Sequence, residues 1–116
     1  MSRRGEVVVV DFPYSDGGSK IRPALVVQND RDNGRLAKTV VAMITGNLRR
    51  AGDPSHLLVD PATPDGAGSG LSGASLVSCI NIYTVEQSAI LRTLGRLSGT
   101  AMRKVDDCLK AALGLP

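Results

Sequence analysis

Short runs of apolar, often β-branched residues alternate with turn-forming clusters along most of the chain, and only the C-terminal tail changes period. Residues 6–11 read Glu-Val-Val-Val-Val-Asp between Gly5 and Phe12-Pro13, which predicts a buried strand. Tyr14-Ser15-Asp16-Gly17-Gly18-Ser19-Lys20 is a glycine-rich polar loop. A second strand is predicted over 22–28, with Pro23 near its start, because a proline in mid-strand removes a ladder donor. Residues 29–34 are turn material. A third strand spans 39–44 and runs out into Thr45-Gly46-Asn47 and the basic pair Arg49-Arg50. Residues 56–59 make a short fourth strand, and 60–73, with two prolines and four glycines, a long surface loop. Two more strands are predicted over 76–82 and 91–97. In the tail, Met102, Val105, Leu109, Ala112 and Leu113 recur at helical spacing, with Ser98 or Thr100 to cap the start and Gly114 to end it. The sum is a mainly β fold: a compact antiparallel barrel of five or six short strands with one C-terminal helix packed on it. No repeat or linker divides the chain, so 1–116 is expected to be one domain.

Composition narrows the picture. Aromatic residues are limited to Phe12, Tyr14 and Tyr83, so the core must be built from Val, Leu, Ile and Ala. At 116 residues the chain can bury enough surface to fold without disulfide staples. Cys79 lies in an apolar run and Cys108 in the helix, neither in a CxxC pair, which reads as two buried free thiols. The basic Ser2-Arg3-Arg4 start leads into Gly5-Glu6 and a strand, not an apolar signal segment, and no stretch approaches the ~20 apolar residues of a membrane span. A cytoplasmic protein is expected. The net charge of +3 is unevenly placed: residues 1–50 hold nine Lys/Arg against five Asp/Glu, and the remainder five against six. A basic front half suits a polyanionic partner, although a solvated basic face would look the same.

Most catalytic constellations are absent. A single histidine, His56, cannot form an imidazole cluster or a Cys/His zinc set, and it reads as structural. There is no GxxxxGK[ST] loop and no GxGxxG opening a helix. Gly66-Ala67-Gly68-Ser69-Gly70 leads to a strand and reads as a connector. No nucleophile elbow surrounds any serine. The acidic residues sit mostly in turns and at Asp106-Asp107, not grouped as a metal-dependent nuclease would need, so no metal and no cofactor are expected.

The segment Ile21-Arg22-Pro23-Ala24-Leu25-Val26-Val27-Gln28-Asn29-Asp30 closely resembles the signature of the MazF/PemK toxin family, in which an arginine-proline pair opens a barrel strand after a glycine-rich loop. The likeness extends to Arg4-Gly5-Glu6-Val7 with Val10-Asp11-Phe12, to 39–45 ending in Ile-Thr, to Leu76-Val77-Ser78-Cys79 through Thr84-Val85, and to Leu94-Gly95-Arg96-Leu97 with the helix. It implies an SH3-like (CcdB/MazF-type) antiparallel β-barrel and a type II toxin that cuts single-stranded RNA without a metal, leaving 2′,3′-cyclic phosphate and 5′-hydroxyl ends. It further implies a homodimer neutralised by a cognate antitoxin with an acidic, partly disordered tail. The family's catalytic arginine falls on Arg22 and its threonine partner on Thr45. An arginine fork suits the charge that grows on phosphoryl oxygens, and a guanidinium is a poor acid or base. RNA contacts are expected from Phe12, Tyr14, Ser15, Lys20, Asn47, Arg49 and Asn81, aromatics by stacking on bases and cations at phosphates. The sequence departs from the family at Ile80, where some members carry an acid, and at Tyr83, where arginine is common, leaving the general base unassigned. A gyrase-poisoning CcdB-like role on a related barrel would rely on a C-terminal tryptophan segment, and this chain has no tryptophan. An RNA-binding barrel without activity is favoured only by Ile80 and Tyr83.

Overall fold

The computed structural model describes residues 1–13 and 18–116. Six strands, β1 (Glu6–Pro13), β2 (Ser19–Val26), β3 (Lys38–Thr45), β4 (His56–Val59), β5 (Ser75–Glu86) and β6 (Ile90–Arg96), are joined by a four-residue helix α1 (Asp30–Asn33) and followed by helix α2 (Gly99–Leu113). All neighbours pair antiparallel in the order β4-β5-β3-β2-β1-β6.

Both faces of this sheet are apolar, which explains the four consecutive valines of β1. Val7 packs with Leu25, Ala42, Ile44, Val77 and Cys79 against α2. Val8, Val10 and Phe12 point the other way and pack with Ala24, Val26, Val41 and Val85. Burying each such side chain contributes ~1.5–3 kcal/mol. Helix α2 buries Ala101, Met102, Val105 and Cys108, one stripe at helical spacing. Its start is capped by Ser98, whose Oγ accepts from the Ala101 amide at 3.0 Å. Its end turns at Gly114 in the left-handed conformation, φ 68°.

Several expectations are corrected. The sheet is mainly β and antiparallel as expected, but it is not a hydrogen-bonded closed barrel: among the described residues β4 and β6 remain edges. The segment between β4 and β5 covers the open edge instead. It winds through successive turns (Thr63 to Asp60, Gly66 to Thr63, Ser69 to Gly66) and accepts the Arg96 amide on Gly68 O at 2.9 Å. Covering an edge this way removes a template for aggregation. Residues 29–34 hold a short helix, because Asn29 caps it by accepting from the Asp32 amide. Strand β2 starts at Ser19, so Pro23 lies inside it. Its missing N–H falls where β2 is paired with β1 alone, since the ladder to β3 covers Ala24–Val26. Strand β5 runs on past Ile82 to Glu86.

Two outcomes follow from this packing. A Cβ at Gly95 would stand 2.2 Å from Gly68 O, so Gly95→Ala is expected to cost ~1–3 kcal/mol in denaturant unfolding. Burial pushes the Cys79 thiol up to about 12, and the Cys108 thiol is raised by the same cause. A thiol whose folded value lies above its unfolded value near 9 favours folding below that value, and this contribution is lost as pH rises toward 12. Unfolding measured from pH 8 to 11 should show this decline, with a shallower slope in Cys79→Ala.

Candidate functional site

Strand register alone gathers one group of side chains on one face. The pairs Ala24↔Met43 and Val10↔Arg22 set Arg22 and Met43 on the face of Val10. Extending the β2–β3 register by two residues brings Arg22 opposite Thr45. Thr45 pairs with Leu76, Met43 with Ser78, and Ser78 with His56. Directly opposed residues of an antiparallel pair share a face, so Arg22, Met43, Thr45, Leu76, Ser78 and His56 all project together. They line a cavity of about 340 Å³ with Asn47, Arg49, Arg50, Ile80, Asn81 and Tyr83.

A bulge completes the wall. Ala42 pairs with Ile82, whereas Met43 pairs with Ser78, so Cys79, Ile80 and Asn81 have no partner on β3. Extra residues in one strand bend it and re-aim its side chains. The bulge is pinned because the Cys79 amide donates to Ser55 O at 3.0 Å while its thiol stays in the core. Ile80 and Asn81 are thereby turned into the cavity rim.

Polar groups at the site are held in order. Thr45 Oγ1 accepts from the Asn47 amide at 3.1 Å, and Asn47 Oδ1 accepts from the Arg49 amide at 3.0 Å. Asn81 Nδ2 donates to Ser78 Oγ at 2.8 Å, which also meets His56 Nε2 at 3.0 Å. Arg50 reaches Asp53 at 3.4 Å. Among the described residues Arg22 and Arg49 have no carboxylate partner. Among the described residues no acidic side chain lines the cavity. Its field is therefore positive, and it has donors to spare. Among the described residues there is no group of three or more His, Cys, Asp or Glu side chains arranged to hold a metal ion.

Of the residues expected from sequence, Arg22, Thr45, Asn47, Arg49 and Asn81 meet in this cavity. Tyr14 and Ser15 lie outside the described residues. Lys20 is exposed and is not part of the cavity wall. Phe12 is 3 % exposed and belongs to the core, so the expected stacking on bases gives way to packing. Its ring meets Tyr83 edge-on, centroids 5.3 Å apart, and Tyr83 is the aromatic residue exposed at the cavity. His56, read from sequence as structural, is buried but forms part of the cavity wall. Ser78, Met43 and Leu76 were not anticipated. The signal was present in Ser78-Cys79-Ile80-Asn81, where polar residues three apart break strand alternation and point to a bulge.

An antiparallel sheet backed by one helix, with a cationic cavity that no carboxylate among the described residues lines, defines a small β protein suited to a polyanion. Residues 3–113 match the family of PemK-like, MazF-like toxins of type II toxin-antitoxin systems, and the chain belongs to that family. It is 29% identical over 117 residues to the endoribonuclease MazF of Staphylococcus saprophyticus, covering 99% of this chain and 93% of that one. Its fold matches a mycobacterial endoribonuclease solved in complex with its cognate antitoxin, with TM-score 0.80 and 27% identity, covering 100% of this chain and 98% of that one. It also matches the Mycobacterium tuberculosis toxin MazF-mt6, with TM-score 0.74 and 25% identity, over 94% of this chain and 98% of that one.

Titration with inorganic phosphate should shift the side-chain Nε–Hε NMR signals of Arg22 and Arg49. Arg4, whose Nε is engaged by Val27 O at 2.9 Å, should stay unmoved. Equal shifts at all three would mean that the cavity has no preference for anions.

Proposed function

We propose that the protein is the endoribonuclease toxin of a type II toxin-antitoxin system, cutting single-stranded mRNA without a metal. The observation that carries this reading is the meeting of Arg22, Arg49, Arg50 and Thr45 in a cavity that no acidic side chain among the described residues lines. Family membership supports it, as does the endoribonuclease activity named for its staphylococcal relative.

The geometry suits attack by a ribose 2′-hydroxyl on its own phosphate. A bond forms from O2′ to phosphorus and the bond to the 5′-oxygen breaks. The products are a 2′,3′-cyclic phosphate and a 5′-hydroxyl, the leaving oxygen having gained a proton. Negative charge grows on the non-bridging oxygens as the transition state forms, and fixed donors aimed there lower its energy. Arg22 offers a planar fork matched to those oxygens. Thr45 adds a hydroxyl that stays free to donate, because its oxygen already accepts from Asn47. Arg49 and Arg50 hold flanking phosphates, and Tyr83 stacks on a base, a contact available only where the strand is unpaired. Ser55 and Ser78 engage both ring nitrogens of His56, and we assign the ring no proton-transfer role.

The protein acts as a homodimer in the cytoplasm, where mRNA and reduced thiols are found. Its antitoxin lays an acidic, partly disordered segment across the same arginines, as a charge mimic of RNA that proteolysis can remove. The mycobacterial neighbour described with its cognate antitoxin supports such a partner.

Purified protein incubated with a long single-stranded RNA in EDTA should cut it, sparing duplex. Arg22→Ala and Thr45→Ala should each lower the single-turnover rate about 10²–10³-fold with unchanged melting curves. Cleavage that vanishes in EDTA and returns with Mg²⁺, or an Arg22→Ala variant of normal rate, would refute the assignment.

A further inference from the structure

The hydrogen-bond chain beside the arginines runs from a buried ring to an exposed amide, and phosphate chemistry has no use for it. His56 is 7 % exposed and Ser78 2 %, and the two are direct cross-strand partners on β4 and β5. His56 Nδ1 meets Ser55 Oγ at 3.1 Å and Nε2 meets Ser78 Oγ at 3.0 Å. Ser78 Oγ in turn accepts from Asn81 Nδ2 at 2.8 Å. The chain ends at the cavity rim, on a residue that the bulge leaves without a partner on β3.

A side chain on a bulge would otherwise be free to rotate. With its NH₂ engaged by Ser78, the amide of Asn81 is held in one orientation. Among the described residues its Oδ1 has no partner. The group left for a ligand is therefore an acceptor. Resting on the ribonuclease reading above, we propose that His56 is a positioning residue for base selection. Through Ser78 it fixes Asn81 so that Oδ1 accepts from the 6-amino group of adenine or the 4-amino group of cytosine at one position of the substrate. Such an acceptor separates amino from keto bases at equivalent ring positions, cytosine from uracil and adenine from guanine. A keto oxygen placed there would face Oδ1 with no hydrogen between them, and rejection by an unmatched polar group is the stronger half of discrimination. Ordering the amide before RNA arrives spares that cost on binding.

The role needs the tautomer with the proton on Nδ1. Nδ1 then donates to Ser55 and Ser78 donates to Nε2, so Ser78 Oγ is left as an acceptor and Asn81 turns its NH₂ toward it.

The test maps cleavage sites on one long RNA for the wild type, Asn81→Ala, His56→Leu, Ser78→Ala and His56→Gln. The wild-type motif should hold an amino base at one position, and Asn81→Ala should lose that preference roughly three- to tenfold. His56→Leu and Ser78→Ala should lose it at the same position. His56→Gln, which keeps an acceptor, Oε1, within reach of the Ser78 hydroxyl, should restore it. Ser78→Ala carries the test if His56→Leu does not fold. Retained wild-type preference in both, or a keto base at the position that Asn81→Ala relaxes, would overturn the proposal. A second readout needs no RNA: the Asn81 side-chain ¹⁵NH₂ signal should move to the free-amide position in His56→Leu and Ser78→Ala and stay in His56→Gln. An unmoved signal refutes the positioning role even if RNA cleavage stands. A wild type that cuts no RNA refutes the enzyme reading while this signal still decides the positioning.

Discussion

Between Ala42 and Met43 the β3–β5 ladder skips three residues of β5, and the cavity depends on that skip. A regular ladder would have carried Ile80 and Asn81 onto alternating faces opposite β3. The pinned Cys79 amide, held by Ser55 O, lets the strand swell outward without losing its core contact. Upstream of the bulge, β5 sets Leu76 and Ser78 beside Thr45 and His56. Beyond it, Tyr83 and Val85 return to the face that Val41 and Phe12 occupy. One irregularity thus joins a hydrophobic floor to a polar wall.

The rest of the architecture holds that face steady. Helix α2 fills the opposite face with Ala101, Met102, Val105 and Cys108, leaving the cavity side uncovered by any helix. Arg4 ties the first strand to that helix through Asp106. At the far edge the β4–β5 segment meets β6 through Gly68 and Arg96, and the close approach at Gly95 leaves no room for a side chain. The sheet is therefore covered at this edge by a loop rather than closed by a ladder. Arg22 is left where the β2–β3 pairing gives out, and among the described residues neither it nor Arg49 is paired with a carboxylate, whereas Arg50 reaches Asp53.

Much of this was legible in the sequence, and the remainder was hidden for identifiable reasons. The β-branched run of β1, the short β4 and the capped α2 are local patterns, and β4 and α2 fall where they were expected. The pairing of Arg22 with Thr45 came from family resemblance, and both side chains line the same cavity. What stayed hidden is long-range. Whether Phe12 stacks on a ligand or fills a core depends on Val41 and Val85, far along the chain. His56 read as structural because its partner Ser78 is 22 residues away and the bulge beyond it is defined only by cross-strand register. An open sheet edge covered by a loop likewise has no local signature.

In the proposed reaction a fixed set of cationic and hydroxyl donors drives attack by the substrate's own 2′-hydroxyl. The most direct measurement uses one short RNA containing the preferred cleavage site and a second identical to it except for a single 2′-deoxy nucleotide on the 5′ side of the scissile phosphate. The ribose version should be cut to a 2′,3′-cyclic phosphate and a 5′-hydroxyl, and the deoxy version should bind but remain intact. Cutting of the deoxy strand, or a 5′-phosphate on the product, would contradict the account.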